Sequence, residues 1–158
     1  MSYKKIQPEV IVGLGTRTIF KETEPPFLTI ISLHIDLEDW LGDDLMECFP
    51  VLLVSNELKI GLENSNFTGF QFHEMEVTKA QYFNDNYQLN KELPKFYWMK
   101  IIGEKGLDDM IRDNTTRELF VKNTLIEFLK KKFIVKYMEV NPERNEFDDL
   151  LDKMIASE

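Results

Sequence analysis

Cysteine occurs once in these 158 residues, at Cys48. No disulfide can therefore close within the chain, and no metal site can be built mainly from thiolates. Histidine is almost as scarce, with His34 and His73 the two examples. A zinc site needs three or four ligands on fixed elements. His34, Asp36 and Glu38 could contribute to one, but neither His-Glu-x-x-His nor Cys-x-x-Cys spacing occurs, so both histidines read as structural or surface residues and no cofactor is expected. Cys48, with no histidine implied beside it, reads as a buried inert thiol. Glycine is sparse too. The segment Gly13-Leu14-Gly15-Thr16-Arg17 lacks the third glycine of a dinucleotide fingerprint and the Gly-Lys-Ser/Thr of a phosphate loop, which predicts a turn between two strands.

Positive charge is in deficit, with 19 Lys and Arg against 28 Asp and Glu, a net charge of −9. Affinity for a nucleic-acid backbone comes mostly from Lys and Arg, so nucleic acid is not an expected partner. Anionic membrane surfaces are disfavoured for the same reason. Long apolar runs are missing: Val10-Ile11-Val12 is stopped at once by Gly13, well short of a signal-peptide core or the ~20 residues of a membrane span. A reducing cytoplasm is the expected location. What the chain does have is 43% hydrophobic residues, with 12 Phe, 5 Tyr and 2 Trp. That is enough for one real core, and a chain of this length buries roughly 70% of its unfolded surface. Residues 1–158 read as a single domain with no linker composition.

The chain also repeats itself. At an offset of 67, Leu52, Val54, Asn56, Leu58 and Leu62 match Leu119, Val121, Asn123, Leu125 and Leu129; at an offset of 63, Phe70, Met75, Glu76 and Val77 match Phe133, Met138, Glu139 and Val140. In each copy an apolar run suits a buried strand. Asn56 or Asn123 then stands where a helix N-cap is expected, and leucines at i and i+4 supply one helix face. Two strand–helix–strand units, 50–77 and 117–140, predict an α+β fold with a mixed sheet and helices. Around them, Val10–Val12, Thr16–Phe20, Phe27–Ile35 and Phe96–Ile102 read as strands, Leu37–Cys48 as a short helix interrupted by Gly42, and Asn84–Leu93 as loop. Thr78 and Gln81 have capping-box spacing for a brief helix through Phe83. A C-terminal amphipathic helix is expected over 142–155, capped by Asn141 with Pro142 in its first turn.

No catalytic constellation emerges; charge placement does. Asp36, Glu38, Asp39, Asp43, Asp44 and Glu47 fall in one stretch free of Lys and Arg, with Trp40 among them, and Asp108-Asp109 follow the aromatic strand holding Trp98. Such a run is most often a solvated face. With a tryptophan inside it, it reads here as a partner-binding surface, the carboxylates steering a basic partner and Trp40 anchoring the centre.

The segments Gly42-Asp43-Asp44-Leu45, Phe49–Leu58, Thr68–Phe72 and Leu93–Gly103 with Asp108-Asp109 resemble immunity proteins of bacterial polymorphic-toxin systems. They are similar to the α+β group catalogued as immunity protein family eleven, with family forty-three a near competitor, over roughly residues 35–142. The resemblance implies a non-catalytic protein that binds and neutralises a cognate toxin domain, and offers no catalytic residues to transfer. The cysteine pairs of some similar proteins are absent. Two other classes stand beside this expectation. One is an adaptor or structural homodimer packing its tail helix across a two-fold axis. The other is a small divalent-metal enzyme with Asp43, Asp44, Asp108 and Asp109 as oxygen ligands.

Overall fold

The computed structural model describes residues 3–11, 13–25, 29–38, 40–80 and 93–141. Among these residues two larger sheets, two two-stranded pairs and two helices form an α+β fold. The elements in chain order are β1 (Tyr3–Gln7), β2 (Glu9–Val10), β3 (Ile19–Phe20), β4 (Ile30–Ser32), β5 (His34–Leu37), β6 (Leu45–Cys48), β7 (Val51–Ser55), α1 (Asn56–Glu63), β8 (Phe70–His73), β9 (Glu76–Lys79), β10 (Phe96–Ile101), β11 (Met110–Arg112), β12 (Leu119–Lys122), α2 (Asn123–Lys132) and β13 (Glu139–Val140). One sheet runs β2-β6-β7-β10-β8 and the other β11-β12-β1-β13; β3-β4 and β5-β9 are separate two-stranded pairs.

Both expected strand–helix–strand units are present, β7-α1-β8 and β12-α2-β13. In neither do the two strands touch. β10 runs antiparallel between β7 and β8, and β1 runs antiparallel between β12 and β13. Each unit is also flanked by a hairpin partner, β6 on β7 and β11 on β12. The chain is thus two copies of one five-element plan, strand–strand–strand–helix–strand, in which the first strand of each copy lies in the sheet of the other. The registers agree residue by residue. Leu52 faces Met99 as Leu119 faces Ile6, and Ser55 faces Phe96 as Lys122 faces Tyr3.

That register sorts the nine sequence identities. The five at offset 67 occupy equivalent places. The four at offset 63 do not: Phe72 and Val140 are the true equivalents, because they face Met99 and Ile6, an offset of 68. Phe133 ends α2, Met138 precedes β13, and Glu76-Val77 belong to β9, which pairs with β5 instead. The last strand of the first unit therefore stops at His73 rather than Val77.

Helix α1 begins one residue earlier than the asparagine rule suggests. Ser55 is the N-cap, its Oγ accepting from the Leu58 amide at 3.2 Å, because its hydroxyl also donates to Asp44 Oδ1 at 2.7 Å. The equivalent position in α2 is Lys122, which makes no side-chain cap. Lys130, Lys131 and Lys132 do close α2, facing its negative end. Leu37–Cys48 is not a helix but the end of β5, an open turn and β6, since its polar residues are drawn into contacts with other segments rather than onto a helix face. Thr78 is a strand residue. The tail 142–155, Gln81–Phe83 and residues 84–92 of the expected loop Asn84–Leu93 lie outside the described residues.

One core joins the halves. Leu45, Leu52, Val54, Leu58, Leu62 and Met99 pack with Ile6, Met110, Leu119, Val121, Leu125 and Leu129. A second covers the opposite face of the five-stranded sheet with Ile11, Ile30, Leu33, Ile35, Leu37 and Trp40 packed on Met46, Val51, Leu53 and Trp98. The difference is legible strand by strand. All five residues of β7 are buried, whereas β12 alternates buried and half-buried. A strand covered on both faces reads as a continuous apolar run and one covered on a single face alternates.

Where the halves meet, Glu47 of β6 faces Arg112 of β11, Oε1 to Nη1 at 3.5 Å, with both side chains about nine-tenths buried. These two positions are equivalents of each other, since Glu47 faces Leu52 and Arg112 faces Leu119. Equivalent residues in contact are what an approximate two-fold relation requires. Gln7 adds a 2.5 Å bond to Glu47 Oε2, and the Arg117 carbonyl accepts from Arg112 at 2.8 Å. Removing one partner of such a pair leaves a buried charge alone. Glu47→Gln is expected to lower unfolding free energy by about 3 kcal/mol. A double-mutant cycle with Arg112→Gln should give a coupling of about 1–3 kcal/mol, read by urea denaturation; additive losses would deny the pair any role in joining the halves.

Candidate interaction surface

The acidic stretch expected to bind a partner is largely turned inward. Asp43 is 0% exposed, and Trp40 and Asp44 are also buried. Trp40 lies edge-on to Phe96, ring centroids 5.5 Å apart, and its Nε1 donates to the Asp43 carbonyl at 2.9 Å. The physical reason is backbone supply and demand. Buried amides need acceptors, and these carboxylates provide them. Asp43 accepts from the amides of Lys136 and Tyr137 at 3.0 and 2.8 Å. Asp44 accepts from Ile134 N at 2.8 Å, while its own amide donates to Ile134 O at 2.6 Å.

The second acidic pair repeats the device from the other half. Asp109 Oδ2 accepts from Thr68 N at 2.8 Å and its amide donates to Thr68 O at 3.1 Å. Asp44 and Asp109 are equivalent in register, for the carbonyl of each accepts from the first-strand end of its own unit, Ser55 N and Lys122 N, both at 2.9 Å. Each half thus grips the loop that follows the helix of the other. Asp108 is half-buried. It accepts from the Glu104 amide at 2.7 Å, which holds its carboxyl below the ordinary range, and its carbonyl accepts from Tyr3 Oη at 2.6 Å.

Other predicted residues are engaged elsewhere. Asp36 is half-buried and closes a chain from His34: the His34 Nε2 lies 2.8 Å from Thr78 Oγ1, which donates to Asp36 Oδ1 at 2.7 Å. His34 Nδ1 accepts from the Arg17 amide at 3.2 Å, which leaves Nε2 as the protonated nitrogen. Two glycines make this close packing feasible, since a Cβ on Gly13 would strike the Asp36 carbonyl and one on Gly15 the His34 ring. The Gly13-Leu14-Gly15 segment is accordingly a strand-like rung on β5, Leu14 bridging Ile35, followed by a turn at Thr16-Arg17. Glu38 is half-buried; Asp39 lies outside the described residues. Cys48 is buried, and burial pushes its thiol up from the ordinary value, as befits an inert group. Among the described residues no cluster of three or more His, Cys, Asp or Glu could hold a metal ion, so Asp43, Asp44, Asp108 and Asp109 are not gathered into one metal centre. No described helix is long and apolar enough to cross a membrane.

What the clasp exposes is apolar. The 40–44 turn and the 134–139 segment, tied together by Asp43 and Asp44, separate two hollows. One, of about 280 Å³, is lined by Pro8, Glu9, Val10, Leu41, Tyr137 and Glu139. The other, of about 330 Å³, is lined by Trp40, Asp44, Glu57, Leu93, Pro94 and Ile134. On this face Val10 is 64% exposed, Ile134 59%, Leu41 49% and Tyr137 42%. Clustered exposure of this kind marks an interaction site, whereas single exposed hydrophobics do not. Every charged residue lining the two hollows is acidic: Glu9, Asp44, Glu57 and Glu139. Lys136 is the cation on the clasped segment. Sequence reasoning missed these apolar residues because they lie far apart in the chain, and Val10 and Ile134 sit in apolar runs that read as core. The one available signal was Leu41 beside Gly42, an apolar residue set in a polar turn.

Matched against family models, curated proteins and solved structures, the chain finds no counterpart.

Burial holds the Asp43 carboxyl above its ordinary pKa, opposed by the two amides it accepts from and reinforced by Asp44. A carboxyl raised on folding contributes stability fully below its unfolded pKa and loses it as pH rises through the folded value. Mild acidification from neutral pH should therefore stabilise the native chain relative to Asp43→Asn. At pH 7 Asp43→Asn should still cost about 1–3 kcal/mol, because an amide side chain cannot accept from both backbone donors. Thermal unfolding from about pH 4, the ordinary aspartate range, up to neutral pH measures both. Equal stability of the two proteins at pH 7 would remove the clasp from the folding account.

Proposed function

We propose that this chain is a non-catalytic binding protein of the immunity type, which neutralises a cognate toxin domain by occluding it. The observation that carries this reading is the clasped face. Three exposed apolar residues, Leu41, Ile134 and Tyr137, stand on two segments fixed by buried carboxylates, with exposed Val10 of β2 beside them, and the charged residues lining the two hollows are all acidic. Rigid apolar anchors lose little entropy on docking. An acidic surround in a chain of net charge −9 favours a partner of basic character and speeds its approach. The segment resemblance to polymorphic-toxin immunity proteins, which includes Gly42-Asp43-Asp44-Leu45, supports the same class, and its aspartates are the ones that hold the turn.

The contact surface so proposed differs from the acidic run itself. Carboxylates steer from within and around the face, and Leu41 and Tyr137 make the contact. Co-expression with the C-terminal domain of a large secreted protein encoded directly upstream is expected to rescue growth. Leu41→Lys, exposed and free of packing demands, should leave thermal stability unchanged, abolish the rescue and raise the dissociation constant by tenfold or more, the scale of losing one hot-spot contact of about 1.4 kcal/mol. Equal killing with and without the chain would sink the reading. Rescue untouched by Leu41→Lys and Tyr137→Lys would move the interface elsewhere.

A further inference from the structure

The deficit of positive charge makes any gathering of cations in this molecule conspicuous, and one hollow gathers three. It has a volume of about 200 Å³ and lies where β10 passes β11 and the start of β7. Lys100, Arg112 and Arg117 line it, Thr29 adds a hydroxyl, and the remaining walls include Trp98 and Ile30. Among the described residues no acidic one lines it. Three like charges around one concavity repel each other in a low-dielectric setting, and a chain with 28 acids would have ample means of neutralising them.

It does so only in part. Arg112 is held by Glu47 from behind and by the Arg117 carbonyl at 2.8 Å. Glu47 is itself shared with Gln7. Arg117 and Lys100 form no ion pair among the described residues. Burial, and to a smaller degree the neighbouring Arg117, lower the Arg112 pKa from its ordinary value, while Glu47 opposes them. Arg117 adopts a left-handed backbone, φ 64°, a conformation that a non-glycine residue takes only when its surroundings enforce it. The turn that enforces it is tied by Asp113, whose carboxylate accepts from Thr115 and Thr116 and whose carbonyl accepts from Arg117 N.

We infer that this hollow is an anion site for a small phosphate monoester, with the fixed Arg112 guanidinium as its base and Arg117 and Lys100 closing over the phosphate oxygens. Guanidinium groups present donors in a planar fork that suits phosphate, and the hydroxyl of Thr29 supplies a further neutral donor. The volume, below the roughly 300 Å³ of pockets that take drug-sized ligands, matches a phosphate with a compact substituent. Trp98 and Ile30 offer that substituent an apolar wall. The site is separate in residues from the clasped face, so each stands or falls alone.

The test uses the full chain and titrates inorganic phosphate and phenyl phosphate at constant ionic strength, read by calorimetry and by thermal shift. Both should bind, phenyl phosphate the tighter, and both should raise the melting temperature. Arg117→Gln and Lys100→Gln alter side chains outside any ion pair. Each should keep the fold and weaken binding by tenfold or more, while toxin rescue is retained. A thermal shift matched by chloride at equal ionic strength would overturn the inference, as would unchanged affinity in the Arg117→Gln, Lys100→Gln double variant. Benzoate binding more tightly than phenyl phosphate would overturn the assignment to phosphate.

Discussion

The strand that completes each sheet is donated by the other half of the chain. β10 enters between β7 and β8, and β1 between β12 and β13, so neither strand–helix–strand unit can satisfy its inner backbone groups alone. Unpaired buried amides and carbonyls are costly, and two missing central strands would leave many. Everything else follows from this dependence. The principal core mixes Leu52 and Leu58 with Leu119 and Leu125 because the exchange brings both helices to bear on it. Asp44 and Asp109 grip each other's post-helix loops because those loops emerge where the donated strands cross.

Much of this was legible in the sequence and some was not. Leu52, Val54, Leu58 and Leu62 matched their counterparts because a buried strand leading into an amphipathic helix restricts residue type at each position. The later matches, Phe70 with Phe133 and Met75 with Met138, were coincidences of composition, and only register separates them from the true equivalents Phe72 and Val140. The exchange itself left no local trace. Strand partners are chosen by tertiary packing, so Tyr3–Gln7 reads the same whichever sheet receives it. Between β1 and β6 the first half also carries residues 8–44, where the second half has only residues 102–109 between β10 and β11. That longer passage builds the second core on the far face of β7, which is why β7 lacks the alternation shown by β12.

The acidic run teaches a narrower lesson. A stretch of carboxylates free of cations suggested a solvated binding face, yet Asp43 and Asp44 are buried and accept from three backbone amides, those of Ile134, Lys136 and Tyr137, and from the Ser55 hydroxyl. Sequence records the charge but not its direction, because a buried carboxylate satisfied by backbone donors looks identical to an exposed one. The proposed contact surface was visible only once the turn was built, since Leu41 and Tyr137 come together from distant parts of the chain.

Glu47 and Arg112 occupy the same position in the two copies and meet each other across the junction. Were two first halves to associate, Glu47 would confront Glu47; two second halves would oppose arginine with arginine. Only unlike halves give attraction. At this contact the pair therefore favours the union of unlike halves over that of like ones.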